Sequence, residues 1–292
     1  KKGVAPEEIV PKMNLHMVSD NDLFEEAAKF RATRRLWADV ARRHFHTDDP
    51  RVVALAISVF AGGHRLAAQQ PLNNVVRTTM HVLAAMLGGA QWLLVPAYDE
   101  ALALPTLEST RLANLTQEIL HFECMVDNTV DPLGGSYYLE TLTDQLEQKG
   151  REWYDRVIAM GGAVAAIESG FYLQQSVEAA YKYQREVATG KRTVIGVNKY
   201  VLPEEVPQKV FRVSPEAERK QIERLTKLRA ERDNRRVHEC LGDVKQVAQQ
   251  KKNGADQNIV PPILEAVRTY ATVGEIFGTL RGVFGEYRPW RT

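Results

Sequence analysis

The sequence predicts an α/β protein in which short apolar strands alternate with helices, followed by a region made almost only of helices. Two observations support this class. Residues 52–61 and 91–95 are short apolar runs with glycine or proline at their borders, which is typical of strands covered on both faces. After residue 137, helical spacing of apolar residues dominates. Alternation of strands with helices favours a parallel sheet.

The first predicted unit is a helix over residues 19–46 followed by a strand over residues 52–61. Ser19 and Asp22 resemble an N-terminal capping pair. Pro50 ends the helical segment, because proline cannot continue the hydrogen-bond ladder. The apolar run that follows is partly β-branched and is closed by two glycines.

Two further units continue the alternation. A helix is predicted from Pro71 to Leu87, since proline suits a first helical turn, and a strand from Gln91 to Val95. Another helix over 106–122 and a weaker strand over 128–131 complete the series. In barrel enzymes the chemistry lies at the carboxyl ends of the strands. The loops that follow the predicted strands are therefore the candidate site: 62–70, 96–100 and 131–136.

The remainder is predicted to be helical, with one short strand at 193–197 and a linker that starts at Pro203–Pro207. We therefore expect two parts, a strand-containing part over 1–150 and a helical part over 151–292. The predicted helices of the second part cover 138–160, 171–189, 214–250 and 262–287.

Charge and cysteine content limit the function classes. The 292 residues contain 38 Lys+Arg and 37 Asp+Glu, a net charge of +1, which gives no electrostatic case for nucleic acid or a membrane surface. No apolar run approaches the roughly 18–20 residues that span a bilayer. Cys124 and Cys240 form no C-x-x-C pair, so we expect no disulfide framework and a cytoplasmic location. The seven histidines are scattered and predict no metal site.

The number of strands is too small for a closed barrel. A complete (β/α)₈ barrel takes eight strands, and only three good candidates precede the helical part. Three parallel strands leave two open edges. Either this interpretation of the pattern is wrong, or the chain is part of a larger barrel.

Six motifs, in order along most of the chain, carry a resemblance to the methylmalonyl-CoA mutase family, the adenosylcobalamin-dependent acyl-CoA mutases. The first is Ala-Gln-Gln-Pro-Leu-Asn-Asn-Val-Val-Arg-Thr-Thr at 68–79, and Gly-Gly-Ala-Gln follows at 88–91. The others are Tyr-Asp-Glu-Ala-Leu-Ala-Leu-Pro-Thr at 98–106, Asp-Pro-Leu-Gly-Gly-Ser-Tyr at 131–137, Gly-Val-Asn-Lys-Tyr at 196–200 and Tyr-Ala-Thr-Val-Gly-Glu-Ile at 270–276.

The resemblance implies the C-terminal part of a TIM (β/α)₈ barrel, about three βα units, followed by a mostly α-helical region. The chain would belong to the large, substrate-binding subunit of an isomerase that rearranges the carbon skeleton of an acyl-CoA by radical chemistry. It would begin just after the fifth barrel strand. A chain or segment with the first five strands and a small cobalamin-binding subunit are the implied partners. The cobalt ligand would come from that other subunit, because no histidine here has an aspartate two residues before it.

The family motifs also imply individual site residues. Cofactor contacts fall on Gln91, Glu100, Asp131, Gly134 and Gly135. Each has a structural alternative: a strand-end cap for the glutamine, loop fixing for the two carboxylates, and a tight turn for the glycines. Substrate contacts fall on Ala56, Ser58 and Gln70. No residue of this chain is implied as catalytic, and none as a metal ligand.

The sequence departs from the family pattern in two strands. Where many members have Arg-x-His-x-Gln-Thr, this chain has Ala56-Ile-Ser58-Val-Phe-Ala. Where they have Gln-Ser-Leu-His-Thr-Asn, it has Gln91-Trp-Leu-Leu94-Val-Pro. An arginine and several polar groups are thus lost, which favours an acyl-CoA without a free carboxylate, such as an isobutyryl- or hydroxyacyl-CoA. Two alternatives remain open: a non-catalytic, mutase-like structural subunit, and methylmalonyl-CoA mutase itself.

Overall fold

The computed structural model of the chain describes residues 4–203 and 210–286. Their three strands form one parallel sheet in the order β1-β2-β3. The strands are β1 (Leu15–Ser19), β2 (Ile57–Ala61) and β3 (Trp92–Leu94). The chain is therefore α/β with a small parallel sheet, as the sequence predicted.

Helices connect and follow these strands. In chain order they are α1 (Pro6–Ile9), α2 (Leu23–Phe45), α3 (Pro50–Val53), α4 (Asn73–Leu87), α5 (Leu107–Glu118), α6 (Tyr137–Ala159), α7 (Ala163–Glu168), α8 (Phe171–Ala188), α9 (Pro215–Glu231), α10 (Asn234–Lys252), α11 (Val260–Arg268) and α12 (Val273–Phe284). Short 3₁₀ helices lie at Val10–Lys12 and Gly63–Arg65, and a π-helical turn at Ile119–Glu123 extends α5.

The start of the first long helix differs from the expectation. Residues Leu15–Ser19 form β1, which the sequence analysis missed, and α2 begins only at Leu23. Its N-cap is Asp22, whose side chain accepts a hydrogen bond from the Glu25 amide, so the predicted capping role of Ser19 is wrong. The strand forms because its backbone pairs with β2, which lies more than 40 residues away in the sequence.

The strand predicted over 52–61 is shorter than expected. Asp49 caps a helical turn over Pro50–Val53, where proline occupies the first position, so this part of the apolar run is helical. The strand predicted over 128–131 is wrong, because these residues form bends and Asp131 has a positive φ of 50°. At 193–197 the structure has only a bridge between Ile195 and Lys199.

Helices cover one face of the sheet. Alternate strand residues point to this side, where Ile57 and Val59 pack with Phe30 of α2 and Ala85 of α4. The opposite side, which we call the open face, carries the other strand residues. They are His16, Val18, Ser58, Phe60, Trp92 and Leu94. The side chains of Trp92 and Leu94 are more than half exposed, so the described residues leave this face largely uncovered.

The chain divides into two compact units between Arg212 and Val213. The second unit consists of α9–α12, with a core that contains Cys240, Val244, Ala266 and Ile276. Each of the two long helices predicted here is interrupted, the first near residue 232 and the second near residue 270.

The linker expected at Pro203–Pro207 lies mostly outside the described residues, as does residue 287 of the last predicted helix. None of the described helices has the length and apolar character that crossing a bilayer requires. The expected division into a strand-containing part over 1–150 and a helical part over 151–292 is not tested by these compact units and stays a prediction.

Candidate functional site

The carboxyl ends of the three strands bring charged side chains together. Asp20 directly follows β1, and Arg65 lies in the loop after β2. The Arg65 Nε lies 2.7 Å from both carboxylate oxygens of Asp20, and its guanidinium stacks 3.9 Å from the centre of the Tyr183 ring. Burial alone would raise the pKa of Asp20, but hydrogen bonding and charge from Arg65 outweigh burial and hold this pKa below its usual range. The pair joins the ends of two strands.

Two glycines after β2 allow other groups to approach this edge closely. Gly62 has a φ of 49°, and a Cβ there would lie 2.5 Å from the His81 ring. A Cβ on Gly63 would collide with a carboxylate oxygen of Glu100 and lie 2.7 Å from the Phe60 ring. Gly62 therefore requires glycine, because its φ is positive and an added carbon would also meet the Ser19 carbonyl oxygen. At Gly63 an added carbon would displace the ends of the Glu100 and Phe60 side chains, so Glu100 lies against the backbone at the end of β2.

The carboxylate of Glu100 is available for a ligand. It is exposed, and within the described residues it accepts no hydrogen bond. Partial burial, and secondarily the neighbouring Asp99, raise its pKa. The arrangement presents an acceptor at the carboxyl end of the sheet, where hydroxyl groups of a ligand could donate to it.

Gln70 fastens the loop after β2 to a distant segment. Its side-chain amide donates to the carbonyl of Tyr200 at 2.9 Å, and its Oε1 accepts from Asn73 at 3.0 Å. Its backbone has a positive φ of 48°, and Gly196 packs against its side chain. Gln70 thus lies near the carboxyl end of the sheet, with its amide engaged by the protein itself.

Ala56 and Ser58 lie toward the amino end of β2. Ala56 immediately precedes the strand, and its carbonyl accepts from the Leu15 amide at 2.9 Å. Ser58 lies on the open face and is 8% exposed. Its hydroxyl accepts from Asn14 Nδ2 and contacts His16 Nδ1, each at 2.8 Å.

Gln91 lies at the amino end of β3, the end opposite to Glu100. Its Oε1 accepts from the Ile57 amide at 2.7 Å, and its Nε2 donates to the Gly89 carbonyl at 2.8 Å. These bonds tie the start of β3 to β2 and to the end of α4. They give Gln91 a structural role, while its cofactor contact stays a prediction.

Asp131 and Gln91 together line two clefts of about 560 and 410 Å³, and Gly134 and Gly135 follow Asp131 in the same loop. Arg31 of α2 binds Asp131 at 2.9 Å and Glu140 at 2.7 Å. The Gly135 amide donates to the same Glu140 carboxylate at 2.9 Å, and the Gly134 amide donates to the Asp131 carbonyl. The loop is thereby fixed to α2 and α6.

The expected site residues therefore fall into three groups. Glu100 and Gln70 lie at the carboxyl end of the sheet, and Ala56 and Ser58 at the amino half of β2. Gln91, Asp131, Gly134 and Gly135 form the third group, beside the amino end of β3. No cluster of three metal-binding side chains occurs among the described residues.

Sequence reasoning missed the residues that β1 contributes, above all His16 and Asp20. It also missed the buried His81, whose Nε2 lies 2.7 Å from Asn21 Oδ1. The Asp22–Glu25 pair was a signal for a helix start at Leu23, which would have left Leu15–Ser19 free for a strand. Nothing local signalled the pairing of Asp20 with Arg65.

Comparison with known proteins identifies the family. The family model described as methylmalonyl-CoA mutase matches residues 1–286. The chain belongs to the methylmalonyl-CoA mutase family. Family members to which it is similar include the 2-hydroxyisobutanoyl-CoA mutase large subunit of Aquincola tertiaricarbonis, with 37% identity over 289 residues. The methylmalonyl-CoA mutase of Escherichia coli (strain K12) is 38% identical over 286 residues, and the mitochondrial enzyme of Mus musculus is 34% identical over 287.

The alignments cover nearly the whole chain but only part of each relative. They include 98–99% of this chain, 51% of the Aquincola large subunit and 38–39% of the two methylmalonyl-CoA mutases. The chain thus spans between about two fifths and one half of the length of these family members.

Proposed function

We propose that this chain is part of the large, substrate-binding portion of an adenosylcobalamin-dependent acyl-CoA mutase, an isomerase that rearranges the carbon skeleton of an acyl-CoA. The proposal is supported mainly by the parallel sheet, which helices cover on one face and leave open on the other. The chain that forms this sheet belongs to the mutase family. A barrel segment has this construction, because its inner face becomes enclosed only when the other strands are present.

The sheet also indicates what the partner must supply. Among the described residues it ends at β1 on one side and β3 on the other, so both edges offer unpaired backbone groups. We propose that β1–β3 are the last three strands of a (β/α)₈ barrel. Another chain or segment provides the first five, and a small subunit carries the cobalamin and its cobalt ligand.

The carboxyl end of the sheet fits the cofactor. The chemistry that adenosylcobalamin supplies when bound is cleavage of its cobalt–carbon bond, which starts a radical rearrangement. Glu100 has free carboxylate oxygens next to the glycine pair and would accept hydrogen bonds from ribose hydroxyls. Gln91, Asp131, Gly134 and Gly135 are engaged within the protein at the other end. The geometry therefore favours Glu100 among the five predicted cofactor-binding residues.

The open face favours an acyl group without a free carboxylate. Val18, Phe60 and Leu94 lie side by side across the three strands nearest the cofactor end, and we call them the apolar row. None of the open-face side chains is an arginine or a lysine. An unpaired carboxylate in an enclosed barrel would cost several kcal/mol. We propose a substrate of the isobutyryl-CoA or hydroxyacyl-CoA type, with Ala56, Ser58 and Gln70 near its path.

The test is kcat/KM of the reconstituted complex, with both partners and cofactor present. We expect isobutyryl- or hydroxyacyl-CoA to be preferred over methylmalonyl-CoA. The variant Ala56→Arg should raise the relative use of methylmalonyl-CoA, while Ala230→Arg, at an exposed position on α9, should not. A clear preference of the unchanged complex for methylmalonyl-CoA would contradict the substrate assignment. Absence of turnover with any acyl-CoA would instead favour a structural subunit.

A further inference from the structure

Helix α5 buries small or polar side chains and exposes large apolar ones. The residues that it buries are Ser109, Ala113 and Thr116. Four large apolar side chains of α5 and its π-helical extension are 37–67% exposed and recur every three or four residues, as positions on one helix face do. We call them the α5 stripe, and they are Leu112, Leu115, Ile119 and Phe122. An exposed apolar stripe of this kind is typical of a surface that a partner covers.

The α5 stripe points sideways from the helix. Leu120 of the π-helical turn is buried against β2 and α4, and together with the buried Ala113 and Thr116 it marks the side of the helix that faces the core. Each of these three residues follows a member of the stripe by one position. One position corresponds to a rotation of about 100° around a helix. The stripe therefore lies on one lateral side of α5.

The other lateral side of α5 faces helix α4. Gln117 and His121 each come one position after a core-facing residue, and they line the cleft of about 560 Å³ together with Met86 of α4. Since this side is directed toward α4, the α5 stripe is directed the other way, toward the free edge of β3. Among the described residues β3 pairs with β2 alone, so this edge offers unpaired backbone groups. The stripe and the strand edge thus form one continuous surface.

The geometry of parallel sheets indicates what fits this surface. Parallel strands are joined by right-handed crossovers whose helices lie on the same face of the sheet. In this chain α2 and α4 both pack on that face. A strand added in parallel to the free edge of β3 would bring its own helix to the same face, next to the α5 stripe. The occupant is therefore a strand followed by a helix that has an apolar side.

The border of the α5 stripe is acidic. Glu108, Glu118 and Glu123 are exposed and form no ion pair among the described residues, while Arg111 is the basic residue of α5. Lysine or arginine side chains on the occupant would complement these carboxylates. A second copy of this chain in a two-fold contact would instead bring two acidic borders together. The charge therefore favours a partner other than a second copy.

We propose that the α5 stripe and the free edge of β3 are the docking surface for the segment that supplies the first barrel strands, which we call the companion segment. One strand of the companion segment pairs in parallel with β3. The helix that follows this strand packs an apolar side on the α5 stripe and places lysine or arginine side chains near the acidic border. This inference rests on the proposed function, and it adds the surface that binds the partner and the side chains that the partner presents.

The experiment measures the Kd of the complex that forms when the full chain and the companion segment are co-expressed. Dissociation on dilution is followed by analytical ultracentrifugation. Ile119→Glu and Leu115→Glu each place a charge in the α5 stripe, at side chains that are 44% exposed, and Leu115→Met keeps the stripe apolar. The matched control is Ile222→Glu, at an exposed isoleucine of α9, a helix without buried residues. Circular dichroism of the full chain alone verifies that each variant is folded.

We expect each glutamate substitution in the stripe to raise the Kd about 10-fold, because the apolar burial of a half-exposed side chain is lost. Leu115→Met and the control should stay within about 2-fold of the unchanged complex, as surface substitutions outside an interface do. In the unchanged complex, the amides of α5 should also exchange more slowly with solvent than in the chain alone.

Three results would overturn the inference while the proposed function stands. The first is an unchanged Kd in both glutamate variants. The second is unfolding of the full chain in these variants, which would show that the stripe packs within this chain. The third is self-association of the unchanged chain that Ile119→Glu abolishes, which would assign the stripe to a second copy. Failure of the proposed function looks different, since the unchanged chain would then form no complex with the companion segment.

Discussion

In the second compact unit, we expect Glu275→Gln to lower the free energy of unfolding. Arg232, whose side chain is 5% exposed, binds both carboxylate oxygens of Glu275 and also donates to the Tyr270 carbonyl. Glu275 additionally accepts from the backbone and hydroxyl of Thr272 in the capping box of α12. The hydrogen bonds from Arg232 are the main reason why the pKa of Glu275 falls from 4.5 to about 2.

The lowered pKa of Glu275 gives the size of the stability loss expected on substitution. A shift from 4.5 to about 2 corresponds to about 3 kcal/mol of preference for the ionised carboxylate in the folded state. A quarter of the Glu275 side chain is exposed, so water screens part of the interaction, and we expect a loss of about 2 kcal/mol on substitution. The pKa is lowered on folding, so the contribution is complete above pH 4.5 and is lost as the pH falls toward 2.

Native-state hydrogen exchange of the full chain measures this loss of stability at the individual amides of the second compact unit. At neutral pH, Glu275→Gln should lower the protection of the α10 and α12 amides about 30-fold, the equivalent of about 2 kcal/mol. The control is Glu265→Gln, which removes an exposed pair with Arg268 and should cost less than about 1 kcal/mol. Equal protection in the two variants would refute the reasoning that the buried arginine makes the Glu275 carboxylate important.

Three further predictions concern other positions. Burial lowers the pKa of His81, so the stability of the first unit should decrease as the pH falls from 6.5 through this lowered pKa. Tm measured against pH should show this decrease in the unchanged chain and a smaller decrease in His81→Gln. Gly63→Ala should displace Glu100 or Phe60, lower the Tm and weaken adenosylcobalamin binding by the reconstituted complex. Unchanged binding and Tm would show that the close approach of Glu100 and Phe60 to Gly63 is unimportant. Gly242→Ala lies in a helix with open space at the added carbon, so it should stabilise α10 by about 0.5–1 kcal/mol; lower protection of the α10 amides in hydrogen exchange would contradict this.

The sequence by itself determined the elements whose signals are local. Helices α4, α5, α6 and α8 have helical spacing of apolar residues, with proline, threonine or glycine near their ends. Their predicted bounds agree with the structure to within about two residues, provided that the π-helical turn Ile119–Glu123 is counted as part of the predicted helix over 106–122. Strand β3 is an apolar run between a glycine pair and a proline. The motifs between residues 68 and 276 were sufficient to indicate the family.

Only the tertiary structure decided which short segments became strands. Leu15–Ser19 and Asn128–Asp131 both lie near helix ends, yet the first is a strand and the second is not. The difference is a partner: β1 pairs along its length with β2, whereas Asp131 is bound by Arg31 of α2 in a loop with positive φ. Strand formation depends on neighbours distant in sequence, so local propensity could not predict it.

The geometry of the candidate site likewise depends on neighbours that are distant in the sequence. The motifs indicated Gln91 and Glu100 together, but β3 separates them to opposite ends of the sheet. His16 contacts Ser58 across 42 positions, and Asp20 contacts Arg65 across 45. Such contacts form because parallel pairing sets the register between strands, and that register is a property of the folded sheet. The sequence therefore indicated which residue types the site contains. Strand pairing in the folded sheet determined which of these residues lie next to each other.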